Sequence, residues 1–354
     1  VTTHALSPLP VGDPVRELVV TGVGVCAPPA EAAPDWFDYR TELSAQGYKY
    51  VPRAAQYLLA AAKRALVDAR LESDGPDDRC GVVLGSNNCA SQLHADIDRE
   101  VANTGIRFLR PATVPYFSVN LFLARLGIEH GWRGFTLALH SPATAGVETV
   151  QHGFRVVRDG DVDWLVLGAT ETPPDTAHPG LPDGLSAAAP PETGLSDLGP
   201  LAAAVPGAAL PAAAAADDGA AVLIVEPASR AAVRGARVYG TLASSSLFVP
   251  PSLAARDADG EVDRLRTVLA AHGVSADTPV RLLGDSSPVT DVVARALPGA
   301  RSRTVGPGCL SPLLDVADIL RSGGPSTAVV CANALGTVAV TMVVPARPAS
   351  GGNP

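Results

Sequence analysis

The sequence predicts an α/β fold built from two similar halves, and three observations carry that expectation. Short β-branched apolar runs, the mark of strands buried on both faces, alternate with longer segments whose apolar residues recur at helical spacing. The same alternation starts again in the second half of the chain. A stretch dominated by Ala, Pro and Gly divides the two. Alternating strand and helix implies a largely parallel sheet.

Residues 17–25, Glu-Leu-Val-Val-Thr-Gly-Val-Gly-Val, form the first expected strand, closed by a turn at Pro28-Pro29. From Arg53 to Leu71, the residues Tyr57, Leu58, Ala61, Ala65, Leu66 and Ala69 fall on one side of a helix and Lys63 and Arg64 on the other, with no Gly or Pro inside. Strands follow at 80–85 and 162–168, with a helix at 146–158 between them. In the second half, strands are expected at 220–226, 237–243, 280–283, 327–331 and 337–343, and helices at 262–272, 289–297 and 313–321. The halves are bounded at 15–172 and 218–345. Residues 173–217, which include Pro190-Pro191 and Ala212 to Ala216, are expected to be a partly mobile connection, and residues 346–354 a disordered tail.

Composition narrows the function classes. The 354 residues suffice for a substantial core, and 47% hydrophobic against 18% charged residues is a globular balance. A net charge of −9 with no Lys/Arg cluster longer than a pair argues against nucleic-acid and anionic-membrane partners. No apolar run reaches the roughly 18–20 residues that span a bilayer, and no secretory signal opens the chain, so a cytoplasmic location is expected. The five cysteines, Cys26, Cys80, Cys89, Cys309 and Cys331, are scattered and odd in number, which favours buried, reduced thiols; no Cys/His spacing predicts a metal. Gly22-x-Gly24 after a strand hints at a dinucleotide loop. However, Cys26-Ala27-Pro28-Pro29 replaces the third glycine and breaks the helix that would receive a pyrophosphate, so no cofactor is expected.

Several segments, in order, resemble the thiolase-fold β-ketoacyl synthases. They are Val19 to Val25, the helix around Ala54 to Tyr57, Gly81 to Gly85, Val114-Pro115 followed by Val119-Asn120, and His130-Gly131-Trp132-Arg133-Gly134. Leu167-Gly168-Ala169-Thr170-Glu171 and Gly219 to Glu226 complete the set. Each is weak alone; their order makes the set specific. The resemblance implies a thiolase-like fold, two duplicated βαβαβαββ halves forming a layered α-β-α-β-α sandwich.

In active members a cysteine at a strand-to-helix turn is acylated, because the helix dipole stabilises its thiolate, and two histidines assist decarboxylation and stabilise the enolate. Here the turn reads Leu139-His140-Ser141-Pro142-Ala143-Thr144-Ala145-Gly146, and Gly146 matches the family's glycine, which puts Ala143 at the cysteine position. The first histidine motif matches Leu283 to Asp291 through Pro288 and Asp291, with Leu283 at the histidine position. The second, matched through Leu314-Asp315-Val316-Ala317, puts Gly306 at the other. The loop Cys331 to Thr337 keeps only Gly336 of the family's glycine run, which leaves its backbone oxyanion donor in doubt.

These losses and the Leu-Asp-Val-Ala signature are similar to the chain-length factor subunits of type II polyketide synthases. That similarity implies a heterodimer with an active ketosynthase, an acyl carrier protein as the bearer of the chain, and steric length control in a tunnel at the shared interface. In the family the segment before the Val-Asn pair lies at that interface; here it includes Pro115, Tyr116 and Phe117, and Tyr116 and Phe117 are the candidate gate, with plain core packing as the alternative. The chain departs from the pattern in two respects. Typical members carry glutamine where Ala143 stands, and the segment from Pro29 to Tyr50 is shorter, which points to a divergent system such as a reducing or polyene-forming one. His140 and Ser141 are a possible substitute pair for different acyl-transfer or dehydration chemistry, although neighbours on a strand point to opposite faces. Cys309 reads as a small core residue before a reactive thiol, and Asp217-Asp218 as a solvated turn before an acid/base dyad.

Overall fold

The computed structural model describes residues 17–29, 35–71, 75–112, 114–173 and 217–347. The expected mobile connection and disordered tail fall almost wholly outside them. By strand pairing the first half extends past the expected boundary at 218 to take in β5: it carries β1 (Leu18–Cys26), β2 (Cys80–Ser86), β3 (Thr136–His140), β4 (Trp164–Glu171) and β5 (Gly219–Pro227), with helices α1 (Tyr39–Glu42), α2 (Arg53–Ala69), α3 (Ser91–Thr104), α4 (Asn120–His130) and α5 (Ala145–Asp159). The second carries β6 (Gly240–Phe248), β7 (Val280–Gly284), β8 (Arg301–Thr304), β9 (Thr327–Ala332) and β10 (Thr337–Pro345), with α6 (Ala228–Val233), α7 (Pro251–Arg256), α8 (Ala258–Ala271), α9 (Pro288–Ala296) and α10 (Leu310–Ser322).

The strands lie in the order β3-β2-β4-β5-β1-β6-β10-β9-β7-β8. The sequence 3-2-4-5-1 of the first half returns as 8-7-9-10-6 in the second, so one plan is used twice. The halves join where Val19 lies opposite Thr241 and Val20 opposite Gly240. Helix α5 packs on β2 and β4 of its own half and on β6 and β10 of the other, and α10 packs likewise on β9 and β10 and on β1, β4 and β5. These two helices therefore form a layer between two five-stranded leaves, with Val150, Leu167, Leu223, Leu313 and Val329 in the core around them. Tyr57, Leu58 and Phe122 of α2 and α4 cover the outer face of the first leaf, and Leu265 and Val292 of α8 and α9 that of the second. The result is the layered, duplicated α/β arrangement that the resemblance implied.

The expected largely parallel sheet is corrected to a mixed one. β2 runs parallel to β3 and β4, and β7 to β8 and β9, while the other five neighbouring pairs are antiparallel. A link of residues 333–336 between β9 and β10 is too short for a crossover, so β10 must return antiparallel, and β5 takes the corresponding place in the first half. An apolar run reports burial and says nothing of direction. The strand expected at 237–243 lies at Gly240–Phe248, because Ser244, Ser245 and Ser246 interrupt its apolar signature while still pairing with β10.

The paired glycines of β1 have a packing role in place of the dinucleotide one. A Cβ on Gly22 would overlap the Ala65 carbonyl, and one on Gly24 the Ala61 carbonyl, so both let α2 lie flush on the strand. Replacing Gly24→Ala would force α2 outward and is expected to cost at least about 2 kcal/mol; an unchanged midpoint in denaturant unfolding would contradict this packing.

Candidate functional site

β3 ends at His140, and the chain turns through Ser141, Pro142 and Ala143 into α5. Ala143 sits at φ +59°, one of two non-glycine residues at positive φ among the described residues. The other, Arg70, terminates α2. A left-handed conformation costs an L-residue about 1–2 kcal/mol, so surrounding contacts must hold it in place. A strained residue at a strand-to-helix turn is the geometry that aims a nucleophile off the end of a sheet. Here the aimed group is a methyl, 2% exposed.

The contacts that hold the turn come largely from the other half of the chain. The Ala143 amide donates to the Pro307 carbonyl at 3.1 Å, and the Asn87 side-chain amide donates to the same oxygen at 2.9 Å. Asn333, in the link between β9 and β10, donates its side-chain amide to the Pro142 carbonyl at 2.8 Å. A Cβ on Gly146 would overlap the Cys309 carbonyl, so α5 and the start of α10 meet at backbone contact. Glu171, fully buried at the end of β4, ties these loops together. Its carboxylate accepts the backbone amides of Asn87 and Asn88 at 2.6 Å each and that of Cys309 at 3.0 Å. Burial pushes the Glu171 carboxyl up to about 7, against the pull of the Cys309, Asn88 and Asn87 amides.

Leu283 on β7 is fully buried and shares one hydrophobic cluster with Ala143, Val305 and Cys309. Gly306 follows Val305 in the loop whose next residue, Pro307, meets the Ala143 amide. The three positions matched to Cys, His and His thus converge on one region, and none presents an ionisable side chain. A cleft of about 290 Å³ lies on the face of β7 opposite Leu283, lined by Leu282, Gly284, Asp285, Thr290 and Arg303, with Asp285 fixed by the Thr290 hydroxyl and the Ala334 amide.

Pro115, Tyr116 and Phe117 form a short 3-10 turn packed on α4. Tyr116 is half-buried, edge-on to Phe122 in the outer core of the first half, and does not belong to the cluster around Ala143. Phe117 is 47% exposed and stacks on His94, and Pro115 is exposed. His140 is exposed at the strand end, whereas the Ser141 hydroxyl lies 2.8 Å from that of Thr144 and donates to Glu148 at 3.0 Å. The structure does not join His140 and Ser141 as a pair.

All five cysteines are free and buried. Burial raises the Cys309 thiol well above its ordinary range and pushes Cys89 up to about 12, which disfavours thiolate at either. Asp217 is corrected from a solvated turn to a helix cap: it accepts the Leu310 amide at 2.8 Å, the Ser311 amide at 3.1 Å and the Ser311 hydroxyl. Asp218 accepts the Trp36 indole N–H at 2.8 Å. Among the described residues no three His, Cys, Asp or Glu side chains are grouped to hold a metal, and no helix is long and apolar enough to cross a membrane. The sequence assigned no role to Asn87, Pro307 or Asn333, and Glu171 entered only as the end of a motif of the resemblance. Only Glu171, a charge ending an otherwise apolar strand, left a readable signal.

Because Glu171 binds its proton more tightly in the folded protein, its contribution to stability is complete below about pH 4.5 and is lost as pH rises through about 7. The expected loss is up to about 3 kcal/mol. Relative to Glu171→Gln, which titrates nowhere in this range, the wild-type melting temperature should fall between pH 5 and 8; parallel curves would contradict the placement of this carboxylate.

The model of the β-ketoacyl synthase N-terminal domain matches residues 30–231. A 3-oxoacyl-(acyl-carrier-protein) synthase 2 of Vibrio cholerae is 27% identical over 286 residues, covering 76% of this chain and 66% of the relative. The Staphylococcus aureus enzyme of the same name is 26% identical over 138 residues, 39% of this chain and 33% of its own length. The chain therefore spans less than two thirds of the curated relatives it matches. Among solved structures, a type II polyketide synthase acyl-carrier protein in complex with its ketosynthase bound to the hexaketide superposes with a TM-score of 0.67 at 16% identity, over 93% of this chain and 99% of that one. The ishigamide ketosynthase/chain length factor gives 0.66 at 16% identity, over 94% and 100%. A β-ketoacyl synthase from Burkholderia phymatum gives 0.64 at 14%, over 94% and 100%. At such identities the likeness is one of fold.

Proposed function

The chain is a member of the β-ketoacyl synthase family, and from that premise we propose that it is a non-condensing, chain-length-determining partner subunit of a type II polyketide ketosynthase heterodimer. The observation that carries this is Ala143 at the strained turn: the backbone keeps the shape that presents a nucleophile while the side chain cannot be acylated. Leu283 and Gly306, where the family has its two imidazoles, offer nothing to polarise a carbonyl or take a proton. Such a molecule contributes shape to a growing chain, and the sulfur comes from an active ketosynthase. Acyl carrier protein bears the chain to that partner.

Two surface features support a partner on the β3 side. β3 is the outermost strand of its leaf, so one row of its backbone N–H and C=O groups is unpaired within the sheet. In the segment leading into α4, the helix that packs on β3, Ile106, Phe108, Val114 and Phe117 are all exposed, apolar side chains of the kind interfaces cover. Tyr116 and Phe117 in that segment are the proposed gate, with the chain's growth ending when its far end meets a bulky ring. A second role, acyl transfer at a non-cysteine site, has one observation in its favour, the Ser141 hydroxyl held by Glu148.

Purified with a cognate active ketosynthase and acyl carrier protein, this chain should change the product length from that of the ketosynthase alone. Tyr116→Ala or Phe117→Ala should lengthen the product by at least one two-carbon unit. Products that stay the same with and without the chain would contradict the partner role. Labelling of Ser141 by an acyl thioester would favour the second role.

A further inference from the structure

The turn at Ala143 has lost more than a side chain. Acyl transfer needs backbone N–H groups about 2.7–3.1 Å from the oxygen that becomes negative, and the amide of the nucleophilic residue itself is among the nearest available. The Ala143 amide already has an oxygen in that place, the carbonyl of Pro307 at 3.1 Å.

That oxygen is fixed from several directions. The Asn87 side chain donates to it at 2.9 Å. Proline restricts the backbone at 307. One residue further, a Cβ on Gly308 would collide with Asp217, which itself caps α10 through the Leu310 and Ser311 amides. The Cys309 amide is held by Glu171, whose other oxygen holds Asn88. The loop is therefore held at Pro307 by Asn87 and on the C-terminal side of Pro307 by Asp217 and Glu171, and it presents the negative end of a peptide dipole to the positive N-terminus of α5.

We propose that residues 306–309 are a built-in stopper: the loop from the second half supplies the oxygen that a substrate would otherwise present, so position 143 stays inert even with a nucleophile restored. Asn87 and Pro307 are the positioning residues of this device. Within the proposed partner role, on which this rests for the identity of position 143, the stopper prevents a growing chain from being transferred covalently onto this subunit.

The test installs the missing thiol. Ala143→Cys is exposed to an octanoyl thioester of N-acetylcysteamine, and adduct formation is followed by intact mass. Acylation would join the introduced sulfur to the acyl carbon and release N-acetylcysteamine, which carries away the thiol proton. The single variant is expected to acylate no faster than free cysteine. Adding Asn87→Ala and Pro307→Gly, which release the carbonyl, should raise the rate at least about tenfold, since one such donor is worth about 10²–10³ in rate. Rapid acylation of the single variant, or no gain on releasing the loop, overturns the proposal and leaves the product-length experiment unaffected. Hydrogen exchange of the wild-type Ala143 amide needs no variant to fold: strong protection is expected, and exchange at the rate of an open turn overturns the stopper.

Discussion

The contact on which the molecule's chemistry depends is the hydrogen bond from the Ala143 amide to the Pro307 carbonyl. It joins a turn of the first half to a loop of the second at the place where the layered fold brings α5 and α10 together. Both ends are backbone, and the Asn87 side chain and the ring of Pro307 hold the acceptor in place. Its cost is the left-handed conformation of Ala143, and the surrounding bonds from Asn87 and Asn333 offset that strain.

Glu171 is the second constraint. A buried carboxylate is tolerable only when its lone pairs are met, and three backbone amides from two halves of the chain meet them. The same residue orients the Asn87 backbone, whose side chain reaches Pro307, and the Cys309 backbone at the start of α10. Polar chemistry around Ala143 is thus internal: the Glu171 carboxylate and the Pro307 carbonyl are met by donors of the chain itself.

The architecture was legible in the sequence because buried strands and amphipathic helices leave strong patterns. The first strand, the helix starting at Arg53 and the strands 80–85 and 327–331 all lie where their apolar periodicity put them, within a few residues. Edge strands were not legible. β8, Arg-Ser-Arg-Thr, is exposed along its whole length and has no apolar run to announce it. β3, Thr-Leu-Ala-Leu-His, is half-buried in its middle and exposed at both ends, so its short apolar run marks it less clearly than the buried strands. In the site, motif matching led to Ala143, Leu283 and Gly306, but the hydrogen bonds that close the turn were invisible. Pro307, Asn87 and Asn333 are far apart in sequence, and their roles rest on backbone carbonyls that carry no residue signature. Asp217 was misjudged because a cap looks like any turn aspartate until the helix it serves is known.

In the proposed partner role this chain neither carries an acyl group nor forms a carbon–carbon bond. The most direct measurement incubates the purified wild-type chain with an acyl thioester and malonyl-loaded acyl carrier protein, and reads both intact mass and extended products. An unmodified chain and no condensation are expected. A covalent acyl adduct together with a β-ketoacyl product would contradict it.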